Sequence, residues 1–107
     1  MIRLFYKRGK GKHELTINGH AGYAEYGHDI VCSGVSAITF ALLAWIEHNE
    51  DEITQLDELV VEDGRVYISC AGTKNLNTAF QVALMGYIQI ARAHPDYVSI
   101  GYDRDRR

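Results

Sequence analysis

The chain is poor in the residues that would point to a secreted, linked or nucleic-acid-binding protein. Its 107 residues include one proline, Pro95, and two cysteines, Cys32 and Cys70. No proline-rich or other low-complexity segment divides it, which excludes an interdomain linker. There is no secretory signal, and two cysteines in such a chain point to reduced thiols before a disulfide framework, hence to a soluble cytoplasmic protein. Basic charge is also scarce: 11 Lys and Arg against 14 Asp and Glu leave a formal net charge of −3. That balance argues against a general binder of nucleic acid or anionic membrane. No apolar run of about 18 residues is expected, hence no membrane span. What remains is ordinary globular composition, 47% hydrophobic and 23% charged, at the length of a single domain over residues 1–107.

Periodicity supplies the elements. Ile2, Leu4 and Tyr6 alternate with Arg3, Phe5 and Lys7 as a first strand, and Arg8 to Lys12 reads as a flexible basic turn. Leu15 and Ile17 continue the period of two in a second strand ending at Asn18-Gly19, with His20 at its edge. Val31, Val35, Ile38, Leu42 and Trp45 recur at helical spacing, so a helix runs from about Val31 to His48. The acidic run from Glu50 to Glu52 reads as a solvated loop. Asp63-Gly64 between two apolar runs marks a hairpin of strands three and four. Asn75 is a plausible cap for a second helix striped by Leu76, Phe80, Leu84 and Tyr87 and closed by Pro95. Val98, Ile100 and Tyr102 make a fifth strand, and Asp103 to Arg107 a charged tail. The order β-β-α-β-β-α-β predicts an α+β two-layer domain, a largely antiparallel sheet of about five strands packed by two main helices.

Chemistry concentrates between Gly19 and Ser36. Cys32 falls in the first turn of the first helix, where free amides and the dipole favour thiolate over thiol. Because Val31 and Val35 occupy the core stripe, Cys32 lies beside it on a face shared with Ser36. His20 precedes a loop, Ala21 to His28, that carries Gly22, Tyr23, Glu25, Tyr26, Gly27 and His28 and has few apolar anchors, so it is expected to be mobile over the site. A chain folding back there can bring the imidazole to the sulfur as its base. Asp29 is either the N-cap of the helix or an orienting group for His20, and Ser36 either bonds back to its own helix or places a hydroxyl near the sulfur. The alternative for Cys32 is a packed small hydrophobe. Cys70, alternating with Val66 and Ile68, is expected in the core; His13, His48 and His94 are expected on the surface. His20, His28, Asp29 and Cys32 include metal-ligand types, but their spacing matches no finger or zincin pattern, so no metal or other cofactor is expected.

Gly-His-Ala at 19–21, Glu-Tyr-Gly-His-Asp-Ile-Val-Cys at 25–32, then Gly34 and Ser36, resemble the motif of the ribosomal-processing cysteine protease family Prp. The resemblance implies a catalytic dyad of His20 and Cys32, with Asp29 and Ser36 at motif positions of supporting role. It also implies a homodimer and a substrate, the N-terminal extension of large-subunit ribosomal protein twenty-seven, cut after an aromatic residue during ribosome assembly. Acyl transfer through such a dyad would place the oxyanion near the amides of Ser33 and Gly34. Two other classes stay open, a non-catalytic ribosome-associated peptide-binding module and a thiol redox sensor.

Overall fold

The computed structural model describes residues 1–25 and 29–104. Its elements are β1 (Ile2–Gly9), β2 (Lys12–Asn18), α1 (Ile30–His48), a 3-10 turn (Glu50–Glu52), β3 (Ile53–Glu62), β4 (Arg65–Gly72), α2 (Lys74–Ala93) and β5 (Val98–Arg104). The expected element order is the observed one. One sheet runs β3-β4-β2-β1-β5, antiparallel except for the parallel pair β1–β5. The two helices cover one face of it, giving an α+β domain of two layers with a mixed sheet.

Alternation decides which residues enter the core. Ile2, Leu4 and Tyr6 of β1 and Leu15 and Ile17 of β2 are buried, while Arg3, Phe5 and Lys7 face out. The same period passes through His13, two residues before Leu15, and that corrects its expected surface position: it is 2% exposed. The His13 ring stacks on Phe80 with centroids 4.6 Å apart, and its Nδ1 lies 2.6 Å from the Tyr6 hydroxyl. Burial, and secondarily the Arg8 charge, lowers the His13 pKa to about 4, so the ring is neutral at pH 7.

Five local expectations are revised. The basic turn is only Lys10-Gly11, whose φ values of 55° and 76° are both left-handed, as a tight two-residue hairpin requires. Strand β3 begins at Ile53 and not near Leu59, because an edge strand is held by backbone pairing to β4 and can carry polar residues from Thr54 to Glu58. The segment Glu50–Glu52 is more than a solvated loop: the Glu52 carbonyl accepts the Thr73 amide at 3.0 Å, and its carboxylate accepts from the Thr73 hydroxyl and from Asn75. Thr73, not Asn75, is the N-cap of α2, and β5 continues through Asp103 and Arg104, which pair with Lys7 and Arg8.

Helix α1 packs chiefly on α2. Contrary to the expectation of no such run, it is long and apolar enough by length and composition to cross a membrane. In this fold it buries Val31, Val35, Thr39 and Leu42. Thr39 Oγ1 donates to the Val35 carbonyl at 2.8 Å and lies 2.7 Å from the Tyr87 hydroxyl of α2, so its polar atom is satisfied inside the core. The helices approach closely at Gly86, where a Cβ would come 2.7 Å from Ile38 Cδ1.

Candidate active site

Helix α1 starts where Asp29 caps it. Asp29 is buried, and its Oδ1 accepts the amides of Val31 at 3.0 Å and Cys32 at 2.9 Å. Its Oδ2 accepts the Tyr23 amide at 3.1 Å. Burial pushes this carboxyl up, but the amides of Cys32, Tyr23 and Val31 and the Cys32 side chain together outweigh it and leave the pKa below the ordinary value. Of the two roles open to Asp29 in the sequence, the geometry is that of the cap. The same carboxylate holds the loop against the helix.

Cys32 sits one turn in, half-buried, beside the stripe as expected. The Ala21 amide donates to its Sγ at 3.2 Å, joining the residue after His20 to the sulfur. The expectation that the helix start favours thiolate is corrected. Burial raises the Cys32 pKa, the Ala21 amide opposes this, and the Asp29 carboxylate adds to the rise. Beyond burial, the amides of Val31 and Cys32, which would face an anion, are already capped by a carboxylate. The Ser33 amide is likewise committed, donating to the Asp29 carbonyl at 3.0 Å, so the expected oxyanion donors around Ser33 and Gly34 lie within the helix.

Two residues at the start of the loop have contacts that hold them. Ala21 is buried, and the Tyr23 ring meets Tyr97 and His94 edge-on, with centroids 5.2 and 5.5 Å away. Gly22 adopts a φ of 69°, and Tyr23, Ala24 and Glu25 remain exposed. Tyr26, Gly27 and His28 lie outside the described residues.

His20, Gly22, Asp29, Cys32, Ser33 and Ser36 line one cleft of about 770 Å³. That is the size of a small-ligand or peptide side-chain site. Its far wall is one that sequence reasoning did not reach, the end of the β3–β4 hairpin from Val61 to Val66. Phe40, which the sequence reading did not single out, also lines it; it stands one turn beyond Ser36 on the face that carries Cys32, and that helical spacing is the signal that could have found it. Nothing local pointed to the hairpin. It arrives through the β2–β4 pairing that sets Asn18 against Arg65, and through a 2.8 Å bond from the Gly19 amide to the Gly64 carbonyl. Cys70, by contrast, is fully buried as expected, with burial and then Asp57 raising its pKa to about 11. Among the described residues no group of three or more His, Cys, Asp or Glu is arranged to hold a metal ion.

A half-buried thiol and an imidazole line one cleft of a two-layer α+β domain, an arrangement that cysteine-dependent enzymes share. Residues 1–99 match the model of the cysteine protease Prp family, and the chain belongs to that family. It is 36% identical over 87 residues to the ribosomal processing cysteine protease Prp of Mycoplasma pneumoniae, covering 81% of this chain and 84% of that protein. The Mycoplasma genitalium protein of the same name is also 36% identical, over 86 residues, covering 80% and 84%. The crystal structure of an essential ribosomal processing protease Prp from S. aureus, in complex with a covalently linked product peptide, superposes with a TM-score of 0.81 at 28% identity. It covers 95% of this chain and 99% of that one.

Proposed function

We propose that this chain is a ribosomal-processing cysteine endopeptidase in which Cys32 is the nucleophile and His20 its base. The observation that carries this reading is a cleft lined by both Cys32 and His20, in a fold whose S. aureus relative holds a product peptide covalently. Burial raises the Cys32 pKa, so in this reading His20 takes the Sγ proton as sulfur attacks the scissile carbonyl carbon. The tetrahedral intermediate collapses when His20 returns that proton to the leaving amine, and a thioester remains. Water then adds to the thioester, His20 receives its proton, and the C–S bond breaks to free the acid and the thiol. The Ala21 amide, already at the sulfur, and the hydroxyls of Ser33 and Ser36 on the cleft wall are the donors assigned to the oxyanion.

The substrate assigned is the N-terminal extension of large-subunit ribosomal protein twenty-seven, cut after an aromatic residue in the cytoplasm. The cleft supports an apolar side chain at the cut, because Ile17, Val35, Phe40, Val61 and Val66 line it. A homodimer is part of the same reading. Val82 and Met85 of α2 are 63% and 67% exposed, apolar surface that a second copy would cover, and sedimentation at micromolar concentration checks it. Incubation with that ribosomal protein followed by intact-mass measurement tests the activity. Wild type should release the extension, and Cys32→Ala and His20→Ala should each abolish release with unchanged thermal melts. Turnover by folded Cys32→Ala would end the cysteine-protease reading; peptide bound but uncut by wild type would move the weight to a non-catalytic module.

A further inference from the structure

We propose that Asp63, at the tip of the β3–β4 hairpin, is a positioning residue for His20, holding the Nε2 side of the imidazole so that Nδ1 is left for the Cys32 proton. The inference rests on the reading of His20 as the base of this site. Three observations converge on it. First, the Asp63 carboxylate lies 3.8 Å from His20 Nε2. Second, the hairpin tip is fixed to the residue before His20 by the Gly19 amide bond to the Gly64 carbonyl, and the tip packs on the ring itself. Gly64 has a φ of 73°, and a Cβ there would stand 2.8 Å from His20 Nε2. Third, Asp29, the carboxylate that the sequence offered as an orienting group for His20, is committed elsewhere, since both its oxygens hold backbone amides. Arg65, the basic neighbour on the hairpin, lies toward Glu62 at 3.7 Å.

The His20 and Asp63 side chains are 56% and 83% exposed in the free protein, so the pair is screened by water and is longer than a direct hydrogen bond. A peptide lying in the cleft would cover His20 and strengthen the attraction, and catalytic contacts that are long in a free enzyme commonly tighten in the complex. A carboxylate beside Nε2 fixes the ring orientation and stabilises the imidazolium formed when the thiol gives up its proton.

The test compares wild type, Asp63→Asn and Asp63→Glu as full-length proteins, at low and high salt, by two readouts. Asn-Gly is as good a turn pair as Asp-Gly, so the variants should fold, which a melt verifies. Peptide cleavage by Asp63→Asn should show kcat lowered about five-fold with KM little changed, as loss of an exposed charge pair predicts. Asp63→Glu should recover part of the rate. Alkylation of Cys32 by the neutral reagent iodoacetamide should slow in parallel. In wild type both rates should fall with salt, whereas Asp63→Asn should be salt-insensitive, a response that a merely structural residue would not produce. Rates equal to wild type in both readouts, or a raised KM at unchanged kcat, which would make Asp63 a substrate contact, overturn the proposal. Alkylation does not require proteolysis. If wild type cuts no peptide while alkylation still depends on Asp63, the protease reading fails and the positioning role stands; if peptide is cut and Asp63→Asn changes nothing, the positioning role alone fails.

Discussion

Replacing Asp29 tests whether the start of α1 is held by a cap or by a catalytic contact. In Asp29→Ala the amides of Val31, Cys32 and Tyr23 lose their acceptor together. Loss of an N-cap costs about 0.5–2 kcal/mol. The Tyr23 amide, outside the cap, adds up to about 1–3 kcal/mol when left without a partner, less where water can replace the oxygen. A total of about 2–4 kcal/mol follows, and at roughly 4 °C per kcal/mol for a domain of this size the melting temperature should fall by roughly 8–16 °C. Asp29→Asn keeps one carbonyl oxygen for the cap and loses the second acceptor, so its loss should be about 1 kcal/mol. The assay is a far-UV thermal melt in parallel with peptide cleavage measured well below the melting range. Removing the carboxylate also removes one of the influences that raise the Cys32 pKa, so Asp29→Asn should let Cys32 react with alkylating agents at lower pH. An Asp29→Ala protein that melts within about 2 °C of wild type would refute the capping argument.

Two more outcomes follow from buried groups. His13 has a folded pKa depressed to about 4 from 6.5, so its contribution is complete above pH 6.5 and is lost as pH falls toward 4, when the unfolded chain takes up a proton that the folded ring refuses. The loss is at most about 3 kcal/mol, and denaturant unfolding of wild type against His13→Gln at pH 7 and pH 4.5 should show the gap between them narrowing in acid; a gap independent of pH would contradict it. Under native conditions iodoacetamide should label Cys32 much faster than Cys70, which is fully buried and whose thiol is pushed up to about 11. Peptide mapping after a short exposure separates the two, and equal rates would count against both placements.

Much of the molecule was legible along the chain because local rules govern it. Alternation in β1 and β2, helical spacing in α1 and α2, and the Asp63-Gly64 turn each depend on residues within a few positions of one another, and they yielded the element order and α+β class. The sequence also singled out Cys32 beside the core stripe, since helical geometry alone separates it from Val31 and Val35. His13 obeys the same period of two as Leu15 and Ile17, and there alternation, not residue polarity, decides burial. The β3 edge strand escaped because backbone pairing, not apolar pattern, holds Thr54 to Glu58.

Tertiary structure decided what depends on contacts between distant segments. Strand order and the parallel β1–β5 pair come from packing across the whole sheet. The rise in the Cys32 pKa comes first from its burial and then from Asp29, whose carboxylate fills the amides of the first helical turn that an open helix end would have offered to a thiolate. The approach of Asp63 to His20 joins positions 43 residues apart, and it follows from one register, Asn18 against Arg65, that no local pattern encodes.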